Sequence, residues 1–300
     1  MFETIISSIK PLDIEAMEKC QLRLDNLTKP LGSLHSFEKI ARQMAGITGS
    51  HRPKTLQKCL IIMKTTDDHC SPDIGIQVFA EHVSAELVVV DMNNEINASS
   101  RENSIAGREI TKEEVERAIS IGIKIGQEQV KKGCRVIGLG LLGTKSVMPS
   151  ASIVTYFSEK QPNPNDSIEV LRTMGNTELA GLVGVILGAA LERAAVVLDG
   201  LGTSAAALLA VQMAPQVRDY LVASHFAKEE AHRKALELLS LPGYLHLGIQ
   251  SEEGIGAVLG MSLINASLHV INDMKTFGEA KVAVAQDGPG ALKQCINVTD

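Results

Sequence analysis

Tryptophan is absent from this chain of 300 residues, and aromatic residues make up only 3% of it, three Tyr and six Phe. The core must therefore be aliphatic. Few rings are on hand to stack nucleobases, which argues against a binder of single-stranded nucleic acid. Long Lys/Arg runs are missing too, and the formal net charge is -6, the opposite of a nucleic-acid footprint. Cysteine is scarce: Cys20, Cys59, Cys70, Cys134 and Cys295 are odd in number, and no two stand at CxxC spacing. Neither a disulfide framework nor a zinc ribbon is implied, and a reducing compartment is expected. The segment Met1-Phe2-Glu3-Thr4-Ile5-Ile6 carries an early acid and no long apolar core, unlike a signal peptide. The most apolar stretch, Leu179 to Leu198, is interrupted by Glu192-Arg193. It reads as a buried helix followed by a strand, not as a membrane span. These absences together predict a soluble, cytoplasmic protein with neither a nucleic-acid nor a membrane partner.

What is present is an alternation of short apolar runs with longer helical ones. The first fifty residues read as helices: one from Pro11-Leu12-Asp13, with Ile14, Met17, Leu22 and Leu24 as apolar positions, and one carrying Phe37, Ile40, Ala41 and Met44, ending near Gly46 and Gly49. Strands are expected at Cys59–Met63, Glu86–Val90, Arg135–Leu139, Ala194–Leu198 and Asp219–Ala223. Thr111-Lys112-Glu113-Glu114 is a capping-box signal for a helix through Val130, with Val115, Ala118, Ile119, Ile123 and Ile125 facing the core. A further helix is expected from Ala257 to about Phe277. Strands this apolar are buried on both faces, and their alternation with helices predicts an α/β fold with a parallel sheet. Ligands of such sheets sit beyond the carboxyl ends of the strands, so the polar residues that follow each strand are the first site candidates.

Several segments carry chemistry, each with a plainer alternative. Gly138-Leu139-Gly140-Leu141-Leu142-Gly143 fits G-x-G-x-x-G, a weak dinucleotide signal. The turn Gly143-Thr144-Lys145-Ser146 offers backbone amides to a phosphate, or is only a tight strand-to-helix turn. Asp199-Gly200-Leu201-Gly202-Thr203-Ser204 repeats the arrangement, and its alternative is an ordinary N-cap. Asp68-His69 is a candidate acid/base pair, but Asp, His and Cys70 in a row are poorly placed to ligate one ion. Ser224-His225 with His232 suggests two histidines seven apart on one helix face, whose alternative is a core or surface role. Ser251-Glu252-Glu253-Gly254 places carboxylates beside a glycine turn ahead of an apolar helix, either as a base or as a dipole partner.

Taken in order, Leu27-Thr28-Lys29-Pro30-Leu31-Gly32-Ser33-Leu34, Asp68-His69, Val196-Val197-Leu198-Asp199-Gly200, Val217-Arg218-Asp219-Tyr220-Leu221, Ala223-Ser224-His225 and Glu253-Gly254-Ile255-Gly256-Ala257 resemble the nicotinate-nucleotide–dimethylbenzimidazole phosphoribosyltransferase family. The resemblance implies a Rossmann-like α/β domain over residues 51–264, a small helical lobe from 1–50 and 265–300, and a homodimer. It implies transfer of phosphoribose from nicotinate mononucleotide to a benzimidazole-type base, giving α-ribazole 5'-phosphate and nicotinate for cobalamin synthesis, with no metal and no cofactor. The family's glutamate base matches Glu253. Gly143, Thr144, Lys145, Ser146, Gly202 and Thr203 become phosphate or nucleotide candidates, with Asp68, His69, Asp199, Ser224 and His225 as further site candidates. Where the family usually reads Gly-Glu-Met-Gly-Ile-Gly-Asn-Thr-Thr, this chain has Leu139 in the glutamate's place and Thr144 in the asparagine's. Cys70 replaces the usual glycine after Asp-His. The segments after His69 and before Ile168 are shorter than the family's, and the second normally brings a phosphate-binding lysine, for which Lys145 is the candidate substitute. The alternative function is a non-catalytic nucleotide- or base-binding homologue, or the partner subunit of an active paralogue.

Overall fold

The computed structural model describes residues 2–64, 74–96, 110–143, 146–159, 166–284, 291 and 293–295. In chain order the elements are α1 (Phe2–Ser8), α2 (Ile14–Asp25), α3 (His35–Thr48), β1 (Gln57–Lys64), α4 (Ile74–His82), β2 (Ala85–Asp91), α5 (Met92–Ile96), α6 (Lys112–Lys131), β3 (Cys134–Leu141) and α7 (Val147–Glu159). The second half adds α8 (Ser167–Met174), α9 (Thr177–Leu191), β4 (Ala195–Leu198), α10 (Leu201–Met213), β5 (Leu221–Ala223), α11 (Glu230–Leu239), α12 (Ile255–Asp273) and α13 (Phe277–Ala280). Two compact units result: Met1–Lys10 with Gln57–Met261, and Pro11–Leu56 with Ser262–Asp300.

The larger unit is built on a five-stranded sheet in the order β2-β1-β3-β4-β5, with every neighbouring pair parallel. This is the predicted α/β class. Cys59 to Met63 of β1 and all of β4 are buried, as apolar runs covered on both faces must be. The capping box at the head of α6 is closed: Thr111 Oγ1 accepts from the Glu114 amide, and Glu114 accepts from the Thr111 amide. Val115, Ala118, Ile119 and Ile123 are buried as expected, and Ile125 only half so. Leu179 to Leu198 is the predicted buried helix and strand, α9 then β4.

The fifth strand is shorter than predicted. Pro215 opens a 3₁₀ turn through Tyr220, and pairing begins only at Leu221. Tyr220, which closes the turn, is buried, and its hydroxyl donates to the Lys10 carbonyl at 2.7 Å. That bond gives the ring's polar end a partner inside the protein.

In the smaller unit Asp13 caps α2, its Oδ1 accepting from the Ala16 amide at 2.9 Å. Ile14 and Leu22, expected inside, are 59% and 51% exposed. The buried stripe is instead Ala16, Cys20, Arg23 and Leu24. Arg23 is admitted because its guanidinium donates to the Ile271 carbonyl at 2.9 Å and to Glu279 at 3.0 Å. Gly49 ends α3 in the left-handed conformation, φ 71°, where a side chain is strained. α12 is long and apolar enough to cross a membrane by length and composition. Ala257, Val258, Met261, Ile264 and Ile271 along it are nonetheless buried inside the protein, so it serves as a core helix.

Candidate active site

Beyond the carboxyl ends of β3, β4 and β5 the larger unit gathers Asp199, Ser224, His225 and the loop 251–254. The loop is laid directly on β3: the Leu141 amide donates to the Glu252 carbonyl at 2.6 Å. A Cβ on Gly140 would stand 2.7 Å from the Glu253 carbonyl carbon and 2.9 Å from the Gly254 nitrogen. Gly138 likewise leaves room for Ala257 and Met261 at the start of α12. The first two glycines of the G-x-G-x-x-G pattern therefore lie inside β3 and admit a neighbouring chain. In a dinucleotide fingerprint they would form the turn after the strand. Gly143, with φ 98°, does lie in that turn.

Asp199 follows β4 and is 1% exposed. Its Oδ2 accepts from the Gly254 amide at 2.9 Å and its Oδ1 from the Ala257 amide at 3.1 Å, at the N-terminus of α12. Burial pushes its carboxyl up to about 7; the amide bonds act against the shift, and nearby Glu252 adds to it. Glu252 turns to the other helix, its Oε1 accepting from the Gly202 amide at 3.3 Å, with the Leu201 amide also bonded to it. Burial raises its pKa as well. The sequence marked the 251–253 carboxylates for a helix N-terminus. Glu252 does sit at one, but it belongs to α10, fifty positions earlier. Glu253 itself is half-buried, and its amide donates to Ser251 Oγ at 3.3 Å. Thr203 does not cap α10. Its hydroxyl accepts from the Asp199 amide at 2.9 Å and donates to the Gly200 carbonyl at 3.1 Å.

Ser224 and His225 are buried to 1% exposure. Ser224 Oγ donates to the Leu198 carbonyl at 3.0 Å and lies 2.8 Å from His225 Nδ1. The hydroxyl proton is thereby committed, so Nδ1–H is the donor and His225 Nε2 carries no proton. His232 has the opposite tautomer, since its Nδ1 accepts from the Ala227 amide at 3.0 Å. The two rings sit 5.7 Å apart, but not on one helix face as expected. His225 precedes α11, and the intervening turn brings it back to His232. Burial lowers both pKa values, that of His232 to about 4, so both are neutral near pH 7. A Cβ on Gly256 would collide with the His225 ring and stand 2.6 Å from Asp199 Oδ1, so ring and carboxyl share one wall.

Ser146, at the head of α7, is buried and accepts from Asn176 Nδ2 at 2.8 Å. Leu139, in β3, is fully buried. Asp68, His69, Thr144 and Lys145 lie outside the described residues. Glu252 and His232 were noticed in the sequence without the partners that define them, because those partners are remote in the chain or follow an irregular turn.

A family described as Phosphoribosyltransferase matches the chain over residues 9–70, 64–164 and 156–282. The chain is 34% identical over 343 residues to a nicotinate-nucleotide–dimethylbenzimidazole phosphoribosyltransferase of Geobacter sulfurreducens, covering 93% of this chain and 97% of the relative. A protein of the same name from Ruminiclostridium cellulolyticum is 33% identical, with 94% and 97% covered. Alignments of this length exceed the chain itself, so the relatives carry segments that have no counterpart here. Among solved structures, the enzyme of that name from Thermus thermophilus superposes with a TM-score of 0.77 over 91% of this chain and 99% of its own, at 24% identity; this likeness concerns the fold.

Proposed function

Because the chain belongs to the nicotinate-nucleotide–dimethylbenzimidazole phosphoribosyltransferase family, we propose that it moves phosphoribose from nicotinate mononucleotide to a benzimidazole-type base, releasing nicotinate and α-ribazole 5'-phosphate. The observation that carries this reading is the half-buried Glu253, on a loop held against the carboxyl end of β3 by the bond from the Leu141 amide to the Glu252 carbonyl at 2.6 Å. One azole nitrogen attacks the anomeric carbon as the bond to nicotinate breaks. The proton on the other nitrogen must then leave, and Glu253 is the carboxylate to accept it. Asp199 and His225 wall the same region. Holding both rings at attack distance supplies the rest of the rate.

For the 5'-phosphate the reading favours the turn of Gly143, Thr144, Lys145 and Ser146, with Lys145 as counter-charge. The Gly202 amide and Thr203 hydroxyl are already bonded to Glu252 and Asp199. As part of the same reading the enzyme works in the cytoplasm as a homodimer. In support, Cys20, Cys59, Cys134 and Cys295 are free thiols, and helix α4 and the edge strand β2 that follows it expose Val78, Phe79 and Val89.

The test is to incubate the protein with nicotinate mononucleotide and 5,6-dimethylbenzimidazole and to measure ribazole phosphate. Product is expected, and Glu253→Gln should lose on the order of 10²–10⁴-fold in kcat while unfolding at the same temperature. If folded protein makes no product with any azole or phenol acceptor, the transferase reading falls and the non-catalytic binding homologue takes its place.

A further inference from the structure

Two carboxylates, Asp199 buried and Glu252 half-buried, fasten the Glu253 loop, and they do so by exchanging helices. Asp199 stands just ahead of α10, yet it accepts the Gly254 and Ala257 amides of α12 at 2.9 and 3.1 Å. Glu252 stands just ahead of α12, yet it accepts the Gly202 amide of α10 at 3.3 Å. Each acid satisfies the free amides of the helix that the other introduces. An ordinary N-cap uses its own helix and needs only a Ser, Thr or Asn. Here two carboxylates are drawn out of water close to each other, which costs stability. In return, the segment around Glu253 is held on both sides. Glu252 is tied through its side chain to α10 and through its carbonyl to the Leu141 amide at 2.6 Å, and Gly254 is tied to Asp199. Glu253 is the single residue between these anchors.

We propose that Asp199 and Glu252 are positioning residues that act as one reciprocal clasp, fixing Glu253 at the carboxyl end of the sheet for proton removal from the acceptor base. The catalytic half of this statement rests on the reading of Glu253 as the base. The clasp itself rests on the amide contacts that the two acids exchange. Both Asp199 oxygens accept amide protons, so Asp199→Asn must present its NH₂ to one of them and open the clasp without changing size. Glu252→Gln removes the charge that holds the Gly202 amide.

The experiment combines steady-state kinetics with amide hydrogen exchange on Asp199→Asn, Glu252→Gln, the double variant and Glu253→Gln. Each clasp variant should lose at least about ten-fold in kcat, with the KM for nicotinate mononucleotide within about two-fold, because misplacing the base affects the chemical step and not nucleotide binding. The double variant should be no worse than about two-fold below the weaker single variant, since either change opens the same clasp. Losses that multiply would make the two acids independent caps and overturn the proposal. Exchange should show cross-loosening: Gly254 and Ala257 amides exchange faster in Glu252→Gln, and the Gly202 amide faster in Asp199→Asn, although in each case the acid replaced is not the one that bonds those amides. Absence of cross-loosening in both variants overturns the clasp whatever the kinetics. If Asp199→Asn fails to fold, Glu252→Gln decides the matter alone through the Gly254 and Ala257 amides. Should Glu253→Gln prove fully active, the base reading falls, and the exchange result still judges the clasp.

Discussion

Asp199 and His232 couple protonation to folding in opposite directions. The Asp199 carboxyl, ordinarily at 3.8, is pushed up to about 7 by burial, with Glu252 contributing. Between these values the folded protein keeps a proton that the unfolded chain has released. The stabilising contribution is therefore full below about 3.8 and is lost as pH rises through about 7. His232, ordinarily at 6.5, is lowered to about 4 by burial and then by His225. Its contribution is full above about 6.5 and is lost as pH falls through about 4. Denaturant unfolding across this range should show Asp199→Asn flattening the first dependence and His232→Asn, whose side-chain oxygen can still accept from the Ala227 amide, flattening the second. Variant curves that run parallel to the wild type would refute both assignments. At this scale the sequence revealed the acids and histidines that follow strands, because a parallel sheet sends its strand ends to one side. It did not reveal what each one bonds. Lys29, in the most family-like segment, pairs with Glu38 at 2.7 Å in a buried contact, a structural role that spacing alone does not disclose.

Among the elements, α6 and α9 approach backbone to backbone. A Cβ on Gly122 would collide with the Gly181 carbonyl, one on Gly184 with the Ile119 carbonyl, and one on Gly188 with the Ile123 carbonyl. Backbone atoms cannot swing aside as side chains do. Gly184→Ala is accordingly expected to cost about 1–3 kcal/mol or more through overpacking, read as a lower midpoint in urea unfolding; an unchanged midpoint would show that the helices separate freely. Most elements were legible in the sequence because their apolar period was unambiguous: the strands as continuous runs, α6 by its capping box, α9 by its length. The misses have physical causes. Ile14 and Leu22 sit on the side of α2 that the buried Arg23 does not face. The run at Asp219 lost its first part to the turn that Pro215 begins. Gly138 and Gly140, which matched a nucleotide fingerprint, instead make room for the start of α12 and for the loop ahead of it.

Over the whole molecule, the α/β class followed from alternation, but the order β2-β1-β3-β4-β5 did not, since it depends on which remote strands pair. That order bears on how quickly the chain finds its fold. A sheet whose neighbours are all parallel contains no hairpin from which to zip, and β1 must wait for β3, synthesised some seventy residues later, before its inner edge is paired. The entropy of closing such long crossovers is spent before any strand pair repays it. Helices α6 and α9 have only local bonds to make and can form at once. After dilution from denaturant, pulse-labelled amides of α6 and α9 should therefore gain protection before those of β1, on a timescale of roughly milliseconds to seconds. Simultaneous protection would contradict this sequence of events. In the interval β1, with five consecutive apolar residues from Cys59 to Met63, lies open on both edges, so the yield of refolding should fall as protein concentration rises.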